Sequence, residues 1–211
     1  MGWLKRFMGF EAPRPADLPL GLGRGRTLAI SPALKPLLEG RSELVVLGNQ
    51  TICASGDINL GQSVHFRRFY LDDEDYWLQV VMNGPSAKDV GDIILFGYHS
   101  VVPIANEAEL KRLVGPGSKV GLPFYHHDGC GFAREWGSEP GQTELIPFSE
   151  WVVTPEDSYR IQHLALLYAR DIGLPGRREF LLLSVEEDAR GNLSLTTSVG
   201  ATLLPTDFHV T

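Results

Sequence analysis

Cysteine is scarce in this chain of 211 residues, in which only Cys53 and Cys130 occur. The two lie far apart and belong to no Cys-x-x-Cys pair. Because two cysteines close at most one bridge, the disulfide-rich secreted scaffolds are excluded. We therefore expect a protein of the reducing cytoplasm.

Positive charge is also in short supply. Lysine and arginine number 19 against 26 aspartate and glutamate residues, and the formal net charge is −7. Affinity for nucleic acid depends on basic side chains that neutralise phosphates, and no basic stripe offsets the acidic average. We expect no nucleic-acid partner. Long apolar runs are missing too, since none approaches the roughly 18–20 residues of a membrane span.

Common catalytic motifs are absent. The chain contains no Gly-x-Ser-x-Gly elbow, no His-Glu-x-x-His zinc motif and no Gly-x-x-x-x-Gly-Lys-Ser/Thr phosphate loop. Some enzymes contain none of these motifs, so their absence argues against catalysis without excluding it. We assign no catalytic residue, no cofactor and no cofactor-binding residue from the sequence.

Turn-forming residues and strand patterns are abundant, with 23 glycines and 14 prolines. Residues 64–83 carry aromatic and β-branched side chains at period two on both sides of an acidic cluster at 72–75. This pattern predicts a hairpin at the centre of a sheet. In its second strand Leu78, Val80 and Met82 stand at period two, so we predict that all three point into the core.

The whole pattern predicts an α+β fold, a single domain dominated by antiparallel β-strands in hairpins and a meander with a few short helices. The clearest helix is 106–114, where Asn106 and Glu109 form a capping pair. Residues 159–172 are ambiguous. A good helix start at 154–157 precedes them, yet the segment is apolar on both sides. We favour a strand of a hairpin there and keep a helix as the alternative.

One glycine-flanked loop gathers polar residues, namely His126, His127, Asp128 and Cys130. Histidine and cysteine bind zinc, but a zinc site needs three or four ligands. Further ligands would have to come from distant histidines that the sequence cannot place, namely His65, His99, His163 and His209. We expect an ordinary loop without metal, and a metal site and a catalytic Cys–His pair stay as alternatives.

Residues 1–10 form a short amphipathic segment, with Lys5 and Arg6 on the polar arc of a helical wheel. The apolar arc consists of Trp3, Leu4, Phe7, Met8 and Phe10. A helix this short is marginal in water and needs a surface. That surface is its own domain, a second copy of the chain, a membrane or a partner's groove. We divide the chain into this segment with a proline-rich linker, 1–19, and a β-rich domain, 20–211.

Four stretches together resemble a known family. They are WLKRFMG at the start, LPLGLGRG after the proline linker, DDEDYWLQV, and YARDI followed by REFLLLSVEED. Their order and the chain length are similar to those of the YjfK-like bacterial family, which carries domain of unknown function 2491. The resemblance implies a cytoplasmic bacterial protein without known catalytic residues. Members are encoded near membrane-stress proteins similar to phage-shock protein A, which implies a protein partner.

We therefore expect a non-catalytic binding or adaptor protein. It would act at the inner membrane surface with a stress-response partner, through weak peripheral contact. An enzyme with an unrecognised active site and a small-ligand sensor are the alternatives, and a homo-oligomer stays open. A deep pocket that gathers histidine, cysteine and carboxylates would favour the enzyme, whereas an exposed apolar patch or sheet edge would favour the adaptor.

Overall fold

The computed structural model of the chain describes residues 18–187 and 191–211. Its strands within these ranges are β1 (Thr27–Ile30), β2 (Gln50–Gly61), β3 (Val64–Leu71), β4 (Tyr76–Met82), β5 (Val90–Ile104), β6 (Phe124–His127), β7 (Cys130–Arg134), β8 (Ile146–Val153), β9 (Ser158–Leu174), β10 (Arg177–Glu187), β11 (Leu193–Leu203) and β12 (Phe208–Val210). Its α-helices are α1 (Leu34–Leu38) and α2 (Glu107–Val114), and short 3-10 turns lie at Pro19–Gly21 and Pro205–Asp207.

Eight of these strands close into an antiparallel barrel. Strands β2 to β5 are neighbours in chain order, β5 pairs with β11, and β10 and β9 follow. Strand β8 pairs with both β9 and β2, and so closes the ring. The remaining strands lie outside it, with β1 and β12 extending from the start of β2 and the β6–β7 hairpin attached to β9.

The predicted predominance of antiparallel strands and the small share of helix are confirmed. The closed barrel is more specific than the predicted α+β class with hairpins and a meander. It depends on the pairing of residues 55–58 with residues 150–153, which are far apart in the chain. A period-two pattern shows which face of a strand is buried but not which distant strand lies beside it.

The inner face of the barrel is packed with apolar side chains. Its buried members all come from the strands of the ring, namely Ile58, Phe66, Trp77, Ile94, Phe96, Phe148, Ala165, Leu167, Ala169, Phe180 and Leu182. Phe66 on β3 and Phe180 on β10 stand on opposite sides of the ring, so their common cluster fills the interior. Gly200 makes room for one ring, because a Cβ there would lie 2.5 Å from Phe96.

The outer face of the barrel is covered by the flanking elements. Leu28 of β1, Leu34 of α1, Phe132 of β7 and Phe208 of β12 pack in one cluster with residues of β3, β4, β5, β9, β10 and β11. The ring strands are therefore apolar on both faces over much of their length. Such a strand resembles a buried helix in sequence, since the polar–apolar alternation is lost.

The central hairpin predicted at 64–83 is confirmed as β3 and β4. Leu78, Val80 and Met82 are buried in the outer cluster, as the period-two pattern predicts. Their side chains lie between the barrel wall and the flanking elements, while Trp77 on the other face of β4 points into the barrel.

The predicted helix and the ambiguous segment are both resolved. Helix α2 begins after Asn106, whose side chain accepts a hydrogen bond from the Glu109 N–H at 3.0 Å. The residues 159–172 belong to strand β9, as favoured, and β9 pairs with β8 and β10. Among the described residues, none of the helices has the length and apolar character needed to cross a bilayer.

Candidate functional site

The sequence predicts two groups of candidate site residues, one in the N-terminal segment and one in a polar loop. The structure describes the second group. The apolar residues of the N-terminal segment, Trp3, Leu4, Phe7, Met8 and Phe10, lie outside the described residues. Their role in docking stays a prediction. The polar loop candidates lie at the hairpin that joins β6 to β7.

This hairpin separates the polar loop candidates. Asp128 and Gly129 form its two-residue turn and have positive φ angles of 46° and 81°. Two-residue hairpin turns of type I′ need positive φ at both positions and favour Asp-Gly. His126 is exposed, whereas Cys130 packs against the outer cluster. Within the described ranges, Cys130 belongs to no group of three candidate metal ligands.

His127 and Asp128 instead meet His99, which lies on β5. Asp128 Oδ2 lies 3.3 Å from His99 Nε2 and 3.5 Å from His127 Nε2. The two imidazole rings are 4.5 Å apart, edge to face. The sequence identified His127 and Asp128 as candidates but could not place His99 beside them.

A second polar group lies inside the barrel and was missed by the sequence reasoning. It comprises Arg68, Tyr70, Gln79, Glu150, His163 and Ser184, which come from β3, β4, β8, β9 and β10. On the sequence these are single polar residues on five different strands, and only Arg68 and Tyr70 stand two positions apart. Closure of the ring brings these side chains together inside the barrel.

Glu150 is the centre of this interior cluster. Its carboxylate accepts hydrogen bonds from the Arg68 guanidinium at 2.8 Å and from the Tyr70 hydroxyl at 2.6 Å. Nε2 of His163 lies 3.0 Å from the same carboxylate, and we assign the proton to this nitrogen because a carboxylate only accepts. Nδ1 of His163 lies 3.2 Å from the Ser184 hydroxyl oxygen.

The space for the Glu150 side chain is provided by Gly56 on the neighbouring strand β2. A Cβ at Gly56 would lie 1.8 Å from Glu150 Oε1, so any other residue would displace the carboxylate. A glycine inside a strand often marks such a close approach. A glycine within the β2 strand pattern is therefore the sequence feature that could have indicated a large side chain packed against this strand.

Electrostatics keep the Glu150 carboxylate ionised and the Tyr70 hydroxyl protonated. Burial alone raises the pKa of Glu150, but the Arg68 charge and the hydrogen bonds from His163 and Tyr70 lower it to about 2. Burial and the Glu150 charge raise the pKa of Tyr70 well above its ordinary value, so its hydroxyl stays a donor. A buried cation and a buried anion thus compensate each other inside the barrel.

The cluster contains a hydroxyl, an imidazole and a carboxylate in contact, from Ser184, His163 and Glu150. In a catalytic triad these groups are the nucleophile, its base and the group that orients the base. A nucleophile must also reach a substrate. The exposed fractions are 1% for Ser184, 3% for His163 and 0% for Glu150. The arrangement is therefore suited to holding strands together rather than to attacking a bound molecule.

Comparison with known proteins identifies the family. The family model described as "protein of unknown function (DUF2491)" matches residues 3–209. The chain belongs to this family. The match confirms the resemblance seen in the sequence and covers the barrel, the interior cluster and the β6–β7 hairpin. Neither the curated proteins nor the solved structures provide a match to this chain.

Proposed function

We propose that this protein is a non-catalytic binding protein, an adaptor whose closed barrel is a scaffold and whose outer surface meets a protein partner. The burial of the interior cluster is the observation that carries this proposal. The groups best suited to acid–base or nucleophilic chemistry contact one another and are at most 3% exposed in the cases of Ser184, His163 and Glu150. In the part of the chain that the structure describes, these groups are closed off from a substrate unless the barrel opens.

The edge strand β6 is the surface that we propose for the partner. Within the described ranges, β6 pairs with β7 alone, so its other edge presents unpaired backbone groups. Phe124 on this strand is 67% exposed, and Leu122 just before it is exposed as well. An open edge beside exposed apolar side chains favours addition of an extended strand from a partner. We propose that a partner segment adds to β6 and packs on Phe124.

The edge proposal is tested by affinity purification from the source cells, with partners identified by mass spectrometry. We expect Phe124→Lys to lower partner recovery at least tenfold, because a lysine at an edge strand opposes strand addition. Tyr159→Lys is the matched control, since Tyr159 is an exposed aromatic residue at the start of β9, far along that strand from residues 168–169, where β9 pairs with β7. Equal recovery by wild type and Phe124→Lys, or recovery of no partner by wild type, would contradict the proposal.

The N-terminal segment supports a position at the inner membrane surface. Half-burial of its five large apolar side chains yields about 4–7 kcal/mol, from roughly 1.5–3 for each one fully buried. Ordering the segment costs about 1–2 kcal/mol per residue, so burial alone does not hold it on a membrane. Lys5 and Arg6 near anionic lipid add about 1 kcal/mol each. We propose weak, reversible peripheral contact that a protein partner strengthens.

The membrane proposal predicts that the protein co-sediments with vesicles that contain phosphatidylglycerol but not with neutral phosphatidylcholine vesicles. The double variant Trp3→Ala/Phe7→Ala should lose sedimentation, because it removes two large apolar side chains from the segment. Val45→Ala, a change at an exposed apolar residue of the described domain, should leave it unchanged. Equal sedimentation of wild type and the double variant, or none by either, would exclude lipid as the direct contact.

A further inference from the structure

The His99–His127–Asp128 group lies where two distant segments of the chain meet. We expected no metal from the sequence because the loop supplied two adjacent ligands and no third. The structure supplies the third, since the candidate ligand atoms of His99, His127 and Asp128 all lie within 4.8 Å of one another. The ground for that expectation therefore does not hold.

The position of His99 follows from an irregularity in the barrel. Ser100 pairs with Thr197 and Tyr98 pairs with Ser198, so His99 is an extra residue on β5 without a partner on β11. Such a β-bulge changes the direction of the side chain that it carries and is common beside functional sites. Tyr98 packs against the apolar side chains inside the barrel, whereas His99 is exposed to solvent and contacts the hairpin.

The hairpin delivers the other two ligands. His127 is the last residue of β6, and Asp128 opens the Asp-Gly turn. The turn brings the Asp128 carboxylate back against the imidazoles of both His127 and His99. Pairing of β6 with β7 and of β7 with β9 holds this turn against the barrel wall.

The distances from Asp128 Oδ2 to the two imidazole nitrogens fit a tetrahedral zinc ion. Zinc binds histidine nitrogen and carboxylate oxygen at about 2.0–2.2 Å, which places two ligands of a tetrahedron roughly 3.3–3.5 Å apart. The observed separations from Asp128 Oδ2 are 3.3 Å to His99 Nε2 and 3.5 Å to His127 Nε2. Two of the three separations are therefore at the spacing that the ion requires, and all three ligand atoms lie within 4.8 Å of one another.

The hydrogen bonding of His127 Nε2 is a second observation. Its Nε2 atom is buried and makes no hydrogen bond with any described residue. Buried polar atoms normally have a partner, and one without a partner requires an explanation. A metal ion between this nitrogen, His99 and Asp128 provides the missing contact.

We propose that His99 Nε2, His127 Nε2 and Asp128 Oδ2 bind one Zn²⁺ ion. Two imidazoles and one carboxylate suit a first-row transition metal rather than Ca²⁺ or Mg²⁺, which prefer oxygen ligands alone. Three protein ligands leave a fourth position, which water or a group from a partner fills. The bound ion fastens the tip of the β6–β7 hairpin to β5. The proposal does not depend on the adaptor role.

Two measurements test the proposal, both on tag-free protein from which metal has been removed with EDTA. Isothermal titration calorimetry with Zn²⁺ measures the affinity, and elemental analysis after addition of Zn²⁺ measures the bound metal per chain. We expect one Zn²⁺ per chain, and at least a tenfold loss of affinity in His99→Ala and in His127→Ala. His126→Ala is the matched control, because His126 lies on the same strand as His127 but on its exposed side and should bind as wild type does. Circular dichroism confirms that each variant is folded.

A third measurement distinguishes the built site from surface binding. Co²⁺ in place of Zn²⁺ should give the intense visible absorption of a tetrahedral ion in wild type and in His126→Ala, and lose it in His99→Ala. Wild type that binds no Zn²⁺, or His99→Ala that binds it as tightly as wild type, would overturn the proposal.

Discussion

Replacement of Glu150 by glutamine is expected to lower the free energy of unfolding by about 3–5 kcal/mol, because it leaves the buried Arg68 cation without its counter-charge. Glutamine has nearly the same volume as glutamate, so the loss does not arise from a cavity. Arg68 keeps one hydrogen bond, to Gln79 at 3.1 Å, and packs over the Trp77 ring. Neither contact supplies a negative charge. Urea unfolding followed by circular dichroism measures the change.

The pH dependence of stability provides a second readout of the same change. The pKa of Glu150 is lowered in the folded protein to about 2. A carboxyl with a lowered folded pKa stabilises the fold at pH values above its unfolded pKa, about 4.3, and this stabilisation is lost as the pH falls towards 2. We expect wild type to lose this contribution on acidification through that window, and Glu150→Gln to lack this part of the pH dependence.

The control is the double variant Arg68→Met/Glu150→Gln, which removes the buried cation as well and keeps an amide oxygen that can accept from Tyr70 and His163. Because no buried charge is left without a partner, this variant should be more stable than Glu150→Gln. If Glu150→Gln costs less than about 1 kcal/mol, the Arg68 charge is compensated by another group and the assignment of Glu150 as the centre is wrong.

Local patterns in the sequence predict the local elements of this fold well. The acidic cluster at 72–75 marks the turn of the β3–β4 hairpin, and Asn106 with Glu109 marks the start of α2. Both features depend on residues within a few positions of each other. The strand at 159–172 was harder, because it is buried on one face by the barrel interior and on the other by the flanking elements.

The long-range features could not be predicted, and both candidate sites belong to this class. His99 lies beside His127 only because a bulge turns it out of β5 and the hairpin folds back over the barrel. Arg68 and Glu150 meet only because β8 closes the ring beside β2. In each case the chemistry-bearing residues come from strands whose proximity is a property of the topology. Periodicity along a single strand carries no information about it.

The second large effect is expected at Asp207, where Asp207→Asn should lower the free energy of unfolding by about 3–5 kcal/mol. Its carboxylate accepts two hydrogen bonds from Arg177, from Nη1 at 2.6 Å and from Nη2 at 2.8 Å. It also accepts one from the Leu204 N–H at 2.6 Å. Both charged side chains are buried. Asparagine removes the counter-charge and leaves the Arg177 guanidinium buried without it.

The loss of stability in Asp207→Asn should be largest in β1 and β12, which pack on the outside of the barrel. Arg177 begins β10, and Asp207 ends the turn that leads from β11 into β12. Strand β12 pairs with β1, and Phe208 of β12 packs in the outer cluster. Hydrogen exchange in Asp207→Asn should therefore accelerate most at the amides of β1 and β12. It should accelerate less at the amides of β3 and β4, which belong to the barrel itself.

The matched control uses the adjacent arginine. Arg178 pairs with Glu135 at 2.9 Å, but both side chains are substantially exposed. Exposed ion pairs contribute only about 0–1 kcal/mol, because water screens the charges and ordering two long side chains costs entropy. Glu135→Gln should therefore change the free energy of unfolding by less than about 1 kcal/mol. If Asp207→Asn and Glu135→Gln lowered the free energy of unfolding by similar amounts, burial would not be the reason that the Arg177–Asp207 pair stabilises the fold.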